Sequence, residues 1–136
     1  MNTLRQLFYL SRADAALTTA TVQHILRVSQ RNNRRKDITG CLLYTGQHFA
    51  QVLEGNSAVL IELVSCIGKD PRHHNLVVAV DHEVDARTFP DWSMGILFKL
   101  DVADRIESIL AGEHLSEDRA FELLNEMKMD TVMGTL

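Results

Sequence analysis

The sequence has few of the features that mark membrane-bound or nucleic-acid-binding proteins. It contains only two cysteines, without metal-binding or redox spacing, and no apolar run approaches the roughly 20 residues that span a membrane. The first residues show no signal-peptide pattern. Lys and Arg number 14 against 18 Asp and Glu, a net charge of −4, whereas a nucleic-acid-binding protein needs a basic surface to offset phosphates. We therefore expect no nucleic-acid partner, no membrane association, and a cytoplasmic location in which Cys41 and Cys66 are buried free thiols.

Sequence patterns of common enzymes and metal sites are also missing. The seven glycines form no G-x-G-x-x-G motif and no phosphate-binding loop. No Ser–His–Asp or Cys–His arrangement can be recognised. His73 and His74 are adjacent instead of four residues apart, so we interpret them as surface loop residues and not as metal ligands. We therefore expect neither a catalytic function nor a metal ion.

The 136 residues, 46% of them hydrophobic, are typical of one globular domain with its own core. Strand patterns cover residues 4–10, 38–45, 47–54, 76–84 and 92–98. The first long helix is predicted to begin at a cap formed by Thr18 or Thr19 and to end near residue 35, and the second to run from an Asn56 cap to Gly68. Two short helices are predicted over residues 102–111 and 116–128. Because residues 76–84 are almost continuously apolar, we expect that strand to be buried on both faces.

The order β-α-β-β-α-β-β predicts an α+β fold, a ferredoxin-like sandwich with a five-stranded mixed sheet and two helices on one face. In the first strand Phe8 and Leu10 point away from Leu7 and Tyr9, since strand side chains alternate. The exposed face therefore needs a cover, and the two C-terminal helices either provide it or form a surface for a partner. We expect residues 1–98 to form the core unit and residues 99–136 to form a helical extension instead of a second domain.

Several polar residues occupy positions that should face the core. Ser29, Asn32 and Asn33 continue the apolar stripe of the first helix, Gln51 lies between apolar neighbours on one face of the third strand, and Tyr9 shares its face with Leu7. Burying such groups is costly unless their donors and acceptors find partners. They can satisfy one another or the backbone, but a planar ligand with a polar edge, held between helices and sheet, would satisfy them together.

Six short segments in order resemble the BLUF domains, blue-light sensors that use flavin adenine dinucleotide (FAD). They are residues 7–12, 29–33, 38–40, 51–55, 70–73 and 89–94. The resemblance covers about residues 4–98. It implies a photoreceptor that binds FAD without a covalent bond.

The resemblance also implies roles for the polar residues. Tyr9 matches the tyrosine that donates an electron and a proton to the excited flavin, and Gln51 matches the glutamine that bridges tyrosine and flavin and rearranges its hydrogen bonds in light. Asn33 matches the asparagine at the pyrimidine edge of the ring, with Asn32 and Ser29 nearby.

Five further residues take roles from the same resemblance. Asp70, Arg72 and His73 match the loop that borders the pyrimidine edge, and Trp92 and Met94 match fifth-strand residues that relay the glutamine change into the sheet.

Two departures from the family pattern concern the pocket. Ala50 stands where a bulky apolar residue is usual, which suggests a roomier pocket. Cys66 replaces a frequent basic residue, which suggests one contact fewer to the flavin tail.

The sequence leaves the output undetermined. Because residues 99–136 are too few for a cyclase or phosphodiesterase domain, we expect self-association into a homo-oligomer or a separate downstream signalling protein. Two other functions stay open: a ferredoxin-like ligand-binding or assembly module without photochemistry, and a flavin-dependent oxidoreductase.

Overall fold

A computed structural model describes residues 3–112 and 117–134, which form one mixed sheet with helices on both faces. The strands are β1 (Leu4–Ala13), β2 (Thr39–Tyr44), β3 (His48–Asn56), β4 (His73–Glu83) and β5 (Gly95–Phe98). The helices are α1 (Thr19–Arg35), α2 (Ser57–Gly68), α3 (Ala103–Leu110) and α4 (Glu117–Gly134). The predicted βαββαββ order and α+β class are confirmed. The predicted start of the last helix, at residue 116, lies outside the described residues.

The sheet has the strand order β4-β1-β3-β2-β5. β1 pairs antiparallel with both β3 and β4, β2 pairs antiparallel with β3, and β5 pairs parallel with β2. This order places β1 and β3 side by side near the centre, and their register sets Tyr9 directly opposite Gln51. The two residues singled out in the sequence therefore share one cross-strand pair.

Local sequence explains where the two long helices begin. The Thr18 hydroxyl accepts a hydrogen bond from the Thr21 amide at 3.2 Å, and the Asn56 side-chain carbonyl accepts from the Ala58 amide at 3.0 Å. Each cap satisfies an amide that would otherwise lack a partner in the first helical turn. The Asn56 cap is confirmed, and of the two threonines considered for α1 it is Thr18 that acts.

Two hydrophobic cores lie on opposite faces of the sheet. On one face Leu7, Tyr9, Val22 and Leu60 are packed between the sheet, α1 and α2. The core on the other face, under α3 and α4, contains Phe8, Leu10, Ile106, Ile109, Leu124 and Met127. The C-terminal helices thus cover the sheet face that carries Phe8 and Leu10. We call this second face the cap face. No helix in the described residues has the length and apolar character needed to cross a bilayer.

Several details of the predicted elements are wrong. β4 is an edge strand in which only Ala79 and Val80 are buried and Val78 is 39% exposed, because β1 is its single neighbour. His74 is exposed, but with His73 it belongs to the start of β4 and not to a loop. Cys41 is buried as predicted, whereas Cys66 lies on the outer side of α2 and is exposed. The last helix is longer than predicted, and β5 begins three residues later than predicted, at Gly95.

Candidate functional site

A cavity lies between the sheet and the helices α1 and α2. Its wall combines apolar side chains with a polar edge, and it is lined by Tyr9, Ile25, Ser29, Asn33, Leu42, Phe49, Gln51, Leu53, Leu63, Ile67, Asp70, Arg72 and His73. Aliphatic side chains from both helices and the sheet suit the faces of a flat ring, whereas amides, a carboxylate and a guanidinium suit hydrogen-bonding ring edges. The donor set therefore fits a planar heterocycle such as a flavin.

A hydrogen-bonded chain of three buried side chains begins in the wall of this cavity, with Tyr9 and Gln51, and ends behind the wall at Met94. The Tyr9 hydroxyl donates to Gln51 Oε1 at 2.5 Å, and Gln51 Nε2 donates to Met94 Sδ at 3.3 Å. Tyr9 is 4% exposed, Gln51 6% and Met94 2%. Because a thioether sulfur accepts but has no proton to donate, it favours the amide orientation that turns the NH2 group towards Met94.

Burial keeps the Tyr9 phenol protonated. Removal from water, reinforced by the Asp70 carboxylate, raises the pKa of Tyr9 well above its usual value of 10.0. The hydroxyl therefore remains a hydrogen-bond donor to Gln51 throughout the neutral range, and its proton stays available for transfer.

Helix α1 places two of its three predicted polar residues at the cavity. Ser29 and Asn33 are one helical turn apart and line the wall together. Asn33 is 3% exposed, and its Nδ2 donates to the Ser93 carbonyl at 3.1 Å. Asn32 is exposed and does not line the cavity. It is adjacent to the buried Asn33 in sequence and so lies about 100° from it around the helix.

A second group of polar residues lines the cavity just after α2. The Arg72 guanidinium binds both oxygens of Asp70, with its Nη2 2.5 Å from Oδ2, and this lowers the pKa of the Asp70 carboxyl. His73 Nε2 contacts the Ile67 carbonyl at 2.6 Å and Nδ1 contacts the Ser11 hydroxyl at 2.7 Å. Since a carbonyl only accepts, His73 Nε2 carries a proton. These bonds fix the edge before any ligand binds.

Trp92 and Met94 occupy different positions relative to Gln51. Both precede β5, in a turn and not in the strand as predicted. Met94 contacts Gln51, whereas Trp92 is half-buried and its ring covers Gly95, where a β-carbon would lie 1.6 Å from a ring atom. Gly95 is therefore required for this position of the Trp92 ring. Gln30, on α1, holds the turn by donating to the Met94 carbonyl at 2.9 Å.

Sequence reasoning missed several buried polar residues, Glu54 among them, and misjudged another position. Glu54 is 0% exposed and lies on the cap-face side of β3, where its neighbours in alternation are Ala50 and Val52. A charged residue continuing an apolar alternation is the signal that could have found it. Ala50 packs in the cap-face core, so it does not widen the cavity as the sequence suggested.

Comparison with known proteins gives one family. A family model described as BLUF, sensors of blue-light using FAD, matches residues 4–95. Photoactivated adenylate cyclase subunit beta of Euglena longa is 33% identical over 94 residues, which are 68% of this chain and 11% of that protein. The blue light- and temperature-regulated antirepressor BluF of Escherichia coli (strain K12) is 33% identical over 90 residues, 66% of this chain and 22% of that protein. The chain thus spans less than a quarter of either relative.

Solved structures show the same fold over most of the chain. The dark-state structure of BlrB, a BLUF protein, has a TM-score of 0.80 and 33% identity, covering 96% of this chain and 98% of that one. The photo-activated state of BlsA has a TM-score of 0.79 and 25% identity, covering 92% of this chain and 94% of that one. A bacterial light-regulated adenylyl cyclase has a TM-score of 0.71 and 28% identity, covering 91% of this chain and 40% of that one. The sheet and its helices on both faces are therefore an arrangement that these proteins share.

Proposed function

The chain belongs to the BLUF family of flavin-binding blue-light sensors, and we propose that Tyr9 and Gln51 are its photoactive pair. The observation that carries this proposal is the 2.5 Å hydrogen bond from the Tyr9 hydroxyl to Gln51 Oε1 in the wall of a cavity that suits a flavin. Both side chains are buried, so a change in their hydrogen bonding is not masked by water.

The bound flavin is FAD in this proposal. Asn33 and Ser29 would hold the pyrimidine edge of the ring from α1, and Asp70, Arg72 and His73 would border the same edge from the segment after α2. Asn32 has no part in ring binding here, since it is exposed. When bound, the flavin supplies blue-light absorption and accepts an electron and a proton.

Tyr9 provides that electron and that proton, and both return to it during recovery. Its raised pKa keeps the proton on the phenol oxygen until excitation. Gln51 is the only bonded partner of the Tyr9 hydroxyl among the described contacts, so loss and return of the proton act first on the glutamine amide.

Gln51 converts the proton movement into a lasting change. Its amide has an acceptor end towards Tyr9 and a donor end towards Met94. Rotation or tautomerisation exchanges these ends, so an acceptor then faces the Met94 sulfur and the contact becomes unfavourable. In a low-dielectric wall this inversion shifts a two-state equilibrium about tenfold or more.

The output runs from Met94 and Trp92 into β5 and the sheet, and from there to α3 and α4. Residues 1–98 act as the sensor and residues 99–136 as its cap. We assign to this cap either self-association or contact with a separate signalling protein, with no catalytic turnover in the sensor itself. The predicted cytoplasmic location stays a prediction.

Absorption spectroscopy of the purified protein tests the proposal. We expect yellow protein whose flavin band shifts reversibly to the red in blue light, and chromatography of the released flavin should identify FAD and not FMN. Colourless protein would favour a ligand-binding or assembly module. A flavin that is bleached by substrate, without a reversible red shift, would favour an oxidoreductase.

A further inference from the structure

A fully buried carboxylate, that of Glu54, lies on the cap face, on the opposite side of the sheet from the cavity. Glu54 Oε2 accepts from the Thr88 amide at 2.8 Å and from Gln6 Nε2 at 3.0 Å, and Oε1 accepts from the Phe89 amide at 2.7 Å. Burying an ionised carboxylate is costly unless such bonds replace its water shell. Three uncharged amide donors replace the water shell of Glu54 here. Two of them are consecutive backbone amides, so the carboxylate binds one specific segment of the chain.

That segment leads directly to Met94, the last member of the hydrogen-bonded chain of Tyr9, Gln51 and Met94. Thr88 and Phe89 lie in the connection between β4 and β5, and Phe89 is 2% exposed. Five residues later the same connection delivers Met94 to Gln51. The end of the turn is bonded separately: Gln30 donates to the Met94 carbonyl and Asn33 to the Ser93 carbonyl, both from α1. The Glu54 carboxylate bonds the entry of the same turn, so the path of the chain to Met94 is set from both ends.

The anchor and Gln51 belong to the same rigid element. Glu54 follows Gln51 by three residues in β3, and β3 is paired on both sides, with β1 and with β2. A strand bonded on both sides moves as a unit. The distance between the Glu54 anchor and the Gln51 amide is therefore set by β3, and the connection must meet both points.

We propose that Glu54 is a positioning residue of the photoswitch: its carboxylate holds Thr88 and Phe89 so that the Met94 sulfur stays within reach of Gln51. The inference rests on the proposed role of Gln51. A carboxylate is required because both of its oxygens only accept, whereas the amide of a glutamine would turn an NH2 group towards one of the three donors. Glu54→Gln keeps the volume and removes the anchor, and Glu83→Gln, at an exposed carboxylate at the end of β4, is the matched control.

The first experiment needs no light. Hydrogen exchange in the dark should show the Thr88 and Phe89 amides protected relative to the exposed Asp85 and Ala86 of the same connection. Glu54→Gln should raise exchange at both amides to the level of Asp85, and Glu83→Gln should leave it unchanged. Equal exchange at all four positions in the unmodified protein would overturn the proposal whatever its photochemistry.

The second experiment measures the thermal lifetime of the red-shifted state. Glu54→Gln should change it by about fivefold or more, in the same direction as Met94→Ala, with the red shift kept. In protein that already carries Met94→Ala, adding Glu54→Gln should change the lifetime by less than about twofold, because Glu54 acts through Met94. Effects that multiply in the double variant would overturn the proposal.

Two outcomes separate this proposal from the one it rests on. Absence of any red shift in the unmodified protein would refute the photoactive pair. The contact of Glu54 with Thr88 and Phe89 would then be decided by the exchange experiment alone. If Glu54→Gln does not fold, Glu54→Asp keeps the charge but retracts the oxygens by one methylene, and it should change the lifetime in the same direction. A lifetime of the Glu54→Asp variant equal to that of the Glu83→Gln control would count against the anchor.

Discussion

At the scale of single residues, the buried side chains of Tyr9 and Gln51 face each other across neighbouring strands. An apolar residue of similar shape at either position removes the hydrogen bond between them. Tyr9→Phe removes the hydroxyl that donates to Gln51, and Gln51→Leu fills the same volume without a donor and an acceptor end. Both variants should bind flavin and lose the red-shifted state. Difference spectra in dark and light are the measurement, and a normal red shift in either variant would contradict the pair.

The raised pKa of Tyr9 gives a second prediction at this scale. An ordinary tyrosine is half ionised near pH 10, but Tyr9 is titrated only at higher pH because burial disfavours its phenolate. The light-induced red shift should therefore persist undiminished as the pH rises from 7 to about 10. Loss of the signal with a midpoint near 10 would show that Tyr9 is not buried as described.

At the scale of elements, one carboxylate of α3 adds a polar contact to the apolar packing of this helix on the sheet. Glu107 Oε1 accepts from Arg12 Nη2 at 2.5 Å, and its Oε2 lies 2.5 Å from His48 Nε2. Arg12 and His48 are a cross-strand pair of β1 and β3, so Glu107 bridges the two strands that also carry Tyr9 and Gln51. The contact links the cap to the centre of the sheet.

This contact predicts an acid-sensitive attachment. Hydrogen bonds from Arg12, and then His48, lower the pKa of Glu107 to about 2, below the value of about 4.3 in an unfolded chain. A lowered pKa stabilises the fold above about pH 4.3, and this stabilisation is lost as the pH falls towards 2. Since the Glu107 side chain is 47% exposed, screening limits its contribution to less than about 1 kcal/mol.

Urea unfolding of Glu107→Gln tests this attachment. The variant should be less stable than the unmodified protein at pH 7, by under about 1 kcal/mol, and equal to it near pH 2. Glu62→Gln, at an exposed carboxylate of α2, should show no comparable difference at pH 7. A stability difference that is the same at both pH values would mean that the charge of Glu107 is not what matters.

The elements also show what sequence reasoning can reach. Caps depend on residues next to each other, so Thr18 and Asn56 could be found from the sequence. Strand alternation placed Tyr9 and Gln51 on one face for the same reason. The edge position of β4 could not be found, because an apolar run does not state how many neighbours its strand has. The choice of Met94 over Trp92 beside Gln51 depends on a turn whose path is fixed by distant partners, Gln30 and Glu54.

At the scale of the whole molecule, the sheet separates the cavity from the cap, and a change at Gln51 must cross it to reach α3 and α4. We predict that light changes hydrogen exchange in α3 and α4, which contribute Ile106, Ile109, Leu124 and Met127 to the core on the cap face. Met94→Ala should weaken this response and leave the red shift largely intact, since Met94 contacts Gln51 but not Tyr9 in the described bonds. Equal exchange in dark and light would mean that the output leaves by another surface.

The hydrogen-bonded chain from Tyr9 through Gln51 to Met94 has a fixed polarity, because sulfur can close it only as an acceptor. Of the two ways to orient the amide, one leaves every group satisfied and the other sets two acceptors against each other. The dark orientation of the Gln51 amide therefore has the lower free energy. On the proposed mechanism, we expect thermal motion alone to restore the starting state after each photon, so that the sensor resets without a nucleotide or a second molecule.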